Sequence, residues 1–157
     1  MKQDRFLMGI LIGIGVLIAI ALALFFTRQS NVDYVDDAAP EGVVNNFVLA
    51  LYQKDYQKAY GYLQDAEYKP DYEKFRQSFA INPVENTNAG VRIGEVTLEG
   101  DHAYVAVSVV YPGSDPLSRG YGSSEQATLV KQNGAWKIQY MPYPFWQWDW
   151  YQEEQSK

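Results

Sequence analysis

His102 is the only histidine in the chain, and there is no cysteine. Acid–base, nucleophilic and metal chemistry at neutral pH draws mainly on these two side chains, so their scarcity is the first constraint on function. One imidazole without a thiolate cannot furnish a zinc set, and the acidic residues lack the alternating carboxylate spacing of a calcium loop. Asp36-Asp37 is explained by a solvated linker more simply than by a cation site. His102 follows Gly100-Asp101 at the edge of an expected hairpin, where a solvent-facing turn position is the expected role. No catalytic residue, no cofactor and no metal site is therefore expected. The missing cysteine also excludes a disulfide framework, c-type haem attachment and a lipoprotein-type lipid anchor.

The aromatic residues carry more information. Of the 13 tyrosines, Tyr52, Tyr56, Tyr60, Tyr62, Tyr68 and Tyr72 fall close together. Their hydroxyls either line a cavity for a small apolar ligand or pack as ordinary helix-surface and core residues, and packing is the expected outcome. Near the C-terminus, Phe145, Trp146, Trp148 and Trp150 form a second concentration. With strand periodicity the three indoles would project to one side, with Gln147, Asp149 and Tyr151 on the other. Large rings outside any helical pattern fit a protein contact edge, because tryptophan and tyrosine dominate binding hot spots. Two other fates compete: folding back over the domain's open end, or resting at a lipid interface.

The elements that must position these residues begin with an apolar run from Phe6 to Phe26. At about 1.5 Å per residue it reaches roughly 30 Å, the thickness of a bilayer's hydrocarbon core. Lys2 and Arg5 precede it, and Asp33, Asp36, Asp37 and Glu41 follow. The positive-inside bias then predicts a single retained transmembrane helix over 6–26, with residues 1–5 cytoplasmic and the chain after Thr27 periplasmic or extracellular. A cleaved signal peptide competes, but the apolar run continues through the would-be cleavage point at Ala21-Leu22-Ala23. Gly9 and Gly13 form a G-x-x-x-G pair, and Gly15, Ala19 and Ala23 repeat at intervals of four. Such small-residue ridges let a neighbouring helix come close, so Gly9, Gly13, Gly15 and Ala19 are candidate helix-contact residues.

The net charge is −6, and three of the basic residues, Lys2, Arg5 and Arg28, lie before Asn31. The remainder is more acidic still, which makes nucleic acid a poor partner. Residues 27–39 read as a polar linker, 40–142 as one small domain and 143–157 as an aromatic tail. Pro40 and Glu41 suit a first helical turn, with Val43, Val44, Phe47, Val48, Leu51 and Tyr52 at helical spacing. Asp55 is placed to cap a second helix, and Pro70-Asp71 to open a third whose buried stripe is Tyr72, Phe75 and Phe79. Beyond Pro83 the pattern changes to strands over 91–98, 102–110, 126–131 and 136–141, with Pro112–Gly122 as a loop and Asn133-Gly134 as a hairpin turn. About three helices followed by a curved antiparallel sheet is an α+β arrangement.

The pattern Val43–Val44–x–x–Phe47–x–x–Ala50–Leu51–x–x–x–Asp55–Tyr56–x–x–Ala59–Tyr60–x–x–Leu63, with the closing Gly134–Ala135–Trp136–Lys137–Ile138, resembles the nuclear-transport-factor-2-like superfamily over about residues 40–142. The nearest likeness is to its small bacterial membrane-tethered branch. The resemblance implies a cone-shaped α+β fold that serves isomerases, dehydratases, transport adaptors, assembly subunits and interaction domains. In members resembling ketosteroid isomerase, a tyrosine eight residues before the position of Asp55 supplies an oxyanion hydrogen bond; here Phe47 stands there and cannot donate. Dehydratase-like members use a facing histidine and aspartate, for which His102 is poorly placed. The expected function is a non-catalytic accessory or assembly subunit of a larger bacterial membrane protein complex. It would dock through its membrane helix, which also contacts the lipid bilayer over 6–26, and through its extracytoplasmic domain. Alternatives are a membrane-tethered module for a small apolar ligand and an isomerase- or dehydratase-like enzyme.

Overall fold

The computed structural model describes residues 3–27, 33–111 and 120–152. The chain divides into two compact units, Met1–Asp33 and Tyr34–Lys157. The start of the expected cytoplasmic stretch, most of the expected flank after Thr27, most of the 112–122 loop and the end of the tail lie outside the described residues.

Among its described residues the first unit holds one helix, α1, Gln3–Thr27. Among the described residues no helix is long and apolar enough to cross a membrane. That finding corrects the expected transmembrane helix over 6–26, the single-pass topology and the cell-membrane location derived from it. The bilayer contact rested on the same span and is not carried further.

The second unit is α+β. Helix α2, Pro40–Tyr52, starts where proline costs nothing, since the first N–H groups of a helix lack intrahelical partners. Helix α3, Tyr56–Gly61, and helix α4, Tyr72–Ile81, are each opened by an aspartate. Asp55 accepts from the Lys58 N–H at 3.2 Å and Asp71 from the Lys74 N–H at 2.7 Å, satisfying an otherwise orphaned donor in each first turn. A 3₁₀ turn, Val84–Thr87, leads into four strands: β1 Gly90–Glu99, β2 His102–Tyr111, β3 Tyr121–Gln132 and β4 Ala135–Tyr140. They form one antiparallel meander in chain order. Asn133 and Gly134 both take positive φ at the β3–β4 turn, the conformation that two-residue hairpins need. The third strand begins earlier than its apolar pattern suggests, because Tyr121 pairs with Tyr111 and their rings stack at 4.9 Å.

Alternation decides which sheet face is covered. Ala103, Val105, Val107 and Val109 on β2, Ala127 and Leu129 on β3, and Trp136 and Ile138 on β4 point inward and are buried. Against them pack Val43, Val44, Phe47 and Leu51 of α2 and Phe75 and Phe79 of α4. Burying a side chain such as Phe47 contributes about 1.5–3 kcal/mol. Ala50 and Ala59, fully buried and small, let α2 and α3 approach closely. A register shift between Ile93 and Val96 bends β1, the open edge. The other edge is closed: the Ile138 N–H donates to the Tyr62 carbonyl at 2.8 Å, and the Gln64 N–H to the Ile138 carbonyl at 2.9 Å.

The second unit begins at Tyr34, so it takes in the end of the segment read as linker. Residues 34–39 lie across α2 as a strap. Asn46, only 1% exposed, accepts from the Val35 N–H at 2.9 Å and donates to the Val35 carbonyl at 2.7 Å, imitating one rung of a sheet. The Tyr62 hydroxyl donates to Asp37 at 3.2 Å. Gly42 is required by this crossing, since a Cβ there would stand 1.9 Å from the Asp36 carbonyl oxygen. Gly42→Ala is expected to cost about 2 kcal/mol through forced displacement of the strap. Gly61→Ala, where nothing lies within 4 Å of the added carbon, should be neutral or stabilising by about 0.5 kcal/mol. Urea melts of the two variants test the contrast.

Candidate functional site

The aromatic tail does not continue the sheet as a strand. Residues 141–152 run as turns and bends, and the Tyr143–Pro144 peptide is cis. The strand-like alternation expected of Trp146, Trp148 and Trp150 is therefore absent, and the three rings part company. Phe145 is fully buried and meets Tyr52 edge-on at 6.2 Å. Trp150, 3% exposed, lies 5.2 Å from Phe75, 5.7 Å from Phe79 and 4.9 Å from Trp146. Trp146 is sandwiched further by Tyr140 at 6.1 Å and by Tyr151, stacked at 5.7 Å. These edge and stacked geometries are the ones aromatic quadrupoles favour, each adding about 0.5–1.5 kcal/mol beyond burial. Phe145, Trp146 and Trp150 are thus core residues, and the fold-back over the domain is the fate the tail takes.

Trp148 is the exception, 81% exposed between two anchored neighbours. Its backbone is held on both sides. The Trp150 N–H donates to the Gln147 carbonyl at 3.3 Å, the Gln152 side chain donates to the Trp148 carbonyl at 2.5 Å, and Asp149 pairs with Lys74 of α4 at 3.0 Å. Further along, the Tyr151 N–H donates to the Tyr68 carbonyl at 3.1 Å, and the Tyr151 hydroxyl to the Gln64 carbonyl at 2.5 Å. Burial, with Asp65 nearby, pushes the Tyr151 phenol well above its ordinary value.

Two depressions border this face. One, of about 330 Å³, is lined by Asn82, Pro83, Asn86 and Thr87 from the end of α4 and the 3₁₀ turn, and by Tyr143, Pro144 and Gln147 from the tail. The other, of about 260 Å³, includes Lys69, Asp71, Lys74, Asp149 and Trp150. Its two lysines are already engaged: Lys74 with Asp149 at 3.0 Å, and Lys69 with Asp65 at 2.6 Å. The Trp150 indole N–H is buried without a partner among the described residues, yet it is closed off from solvent and offers no contact to a ligand.

The remaining candidates resolve differently. Gly9, Gly13 and Gly15 of α1 have open space where a Cβ would stand, and Ala19 is exposed, so none of the four meets a neighbour among the described residues. His102 starts β2 on the exposed side, opposite Glu99 and Val130. Phe47 is fully buried. Among the described residues no group of three histidines, cysteines or carboxylates converges on a metal position. The tyrosines act as ties: Tyr60 donates to the Pro70 carbonyl at 2.9 Å, Tyr52 to the Ala89 carbonyl and Tyr62 to Asp37. Tyr68 is exposed and Tyr56 and Tyr72 half-buried.

Two measurements check this partition. Trp150→Ala should cost about 3–5 kcal/mol by opening the aromatic cluster, whereas Trp148→Ala should stay within about 0.5 kcal/mol of wild type. Burial, then Asp37, raises the Tyr62 phenol to about 12 from an ordinary 10.0. Between those pH values the unfolded chain ionises while the folded one stays neutral, so Tyr62's stabilisation is complete below about pH 10 and lost as pH rises to about 12. Tyr62→Phe should flatten that alkaline loss in melts taken across the same window.

No family model and no curated protein matches the chain. Among solved structures it is similar to a protein from Campylobacter jejuni named an NTF2-like transpeptidase, with 25% identity, 63% of this chain and 95% of that one covered, and a TM-score of 0.46. A SEC-C motif containing protein from Rhodopseudomonas palustris is similar at 16% identity over 66% of this chain and 77% of its own, with a TM-score of 0.49. A protein from Xanthomonas campestris, named a calcium/calmodulin dependent protein kinase II association domain, is similar at 17% identity over 68% and 91%, with a TM-score of 0.42. All three scores fall below one half, so no residue's role is taken from any of these proteins.

Proposed function

We propose that the second unit is a non-catalytic docking module, an accessory or assembly subunit that binds a larger protein complex through the face built by α4 and the tail. Trp148 is the observation that carries this reading. The indole is 81% exposed although its neighbours on either side are tied down, so the backbone share of its ordering entropy is spent before any partner arrives. An exposed tryptophan on a held backbone, rimmed by polar side chains, is the usual anatomy of an interface hot spot.

The absence of a chemical role is supported by two placements. Phe47, where isomerase-like relatives need a hydroxyl donor, fills the core. His102 sits on the exposed side at a hairpin with no side-chain partner among the described residues, which leaves a general base without an orienting group. A ligand cavity lined by phenols is disfavoured because Tyr52, Tyr60 and Tyr62 spend their hydroxyls on internal acceptors.

Native mass measurement of the full chain isolated gently from its source tests the proposal. A stoichiometric heterocomplex is expected, and Trp148→Ala should weaken it about thirtyfold, the equivalent of about 2 kcal/mol, without changing the melting curve. A wild-type chain that runs alone, or a complex that Trp148→Ala leaves intact, overturns it.

A further inference from the structure

We infer that the depression beside Trp148 takes a neutral, proline-rich segment of the partner, held in the extended polyproline conformation; this rests on the docking reading above. Its lining is chemically uniform. Asn82, Asn86 and Gln147 present three side-chain amides, none of which has an intramolecular partner among the described residues, and no charged side chain contributes. With no charged side chain in its lining, the recess offers no ion pair to a lysine-, arginine- or phosphate-bearing ligand.

A proline-rich chain offers a matching surface. Its residues lack N–H groups and its helix makes no internal hydrogen bonds, so it presents carbonyl acceptors alternating with flat apolar rings. Recognition therefore calls for donors set among exposed aromatics. The amides supply NH₂ donors, and the Tyr143 hydroxyl, on a residue 66% exposed, supplies another. Tyr143 and Gln147 line the depression itself, and Trp148 is the next residue along the same held turn. At about 330 Å³ the recess is at the small end for a ligand site, which suits a few residues of an extended chain rather than a folded element. Because proline is already restricted, little entropy is lost when such a segment docks.

Acrylamide quenching of the full chain's fluorescence provides the test. Of its four tryptophans, Trp136, Trp146 and Trp150 are buried and Trp148 is the accessible one, so quenching reads that ring. Decaproline should protect it saturably, and a glycine–serine decapeptide should not. Gln147→Ala and Asn86→Ala should each raise the half-saturating concentration about fivefold, the effect of one neutral hydrogen bond. Equal protection by the glycine–serine peptide or by a neutral oligosaccharide, or binding untouched by both substitutions, overturns the inference. If decaproline fails while the native heterocomplex still depends on Trp148, the peptide class is wrong and the docking reading stands; if both fail, both fall.

Discussion

The inner face of the four-stranded meander must be covered, and the helices before it are too short to do so alone. Helix α3 is a single buried alanine's worth of contact, and α4 contributes only Phe75 and Phe79. The remaining cover comes from the last part of the chain, where Met141, Phe145, Trp146 and Trp150 enter the core. Contact between these rings and α4 is the interaction on which the unit depends. Without it the far side of α4 and the ends of β3 and β4 would expose large apolar surface to water.

That contact also organises the polar groups around it. Once Trp150 is seated on Phe75, Tyr151 reaches the 64–68 loop and Asp149 reaches Lys74. The Lys74–Asp149 pair is half-exposed at both ends and adds little energy by itself. Its consequence is positional, since it fixes the backbone at Trp148. The strap over α2 uses Asn46 in the same spirit: a buried amide that satisfies two backbone groups sets where the chain enters the domain. Hydrogen bonds here choose among arrangements that apolar packing alone leaves open.

The functional reading follows from this division of labour. Aromatic rings clustered in a short tail are ambiguous between a core and an interface, because the same chemistry serves both. Most of them are consumed by the core, which leaves one exposed indole, one exposed phenol and three side-chain amides without a partner among the described residues. The docking function proposed above draws on that residue set, whose amides, phenol and indole recognise by hydrogen bonding and packing.

What the sequence by itself determined is local. Pro40, Asp55 and Asp71 mark helix starts because capping acts within one turn, and Asn133-Gly134 marks a hairpin because only positive φ closes a two-residue turn. The valines of β2 declare an inward face by simple alternation. Only tertiary structure decided the rest. The tail's i, i+2 spacing implied one face for three tryptophans, but alternation has meaning only within a strand, and the chain there turns instead. Whether Trp150 or Trp148 was buried depended on where α4 lay, a contact across some seventy residues that no local pattern encodes. The strap and the tyrosine ties escaped for the same reason: Tyr151 and Gln64 are 87 residues apart, and only the folded chain brings hydroxyl and carbonyl together.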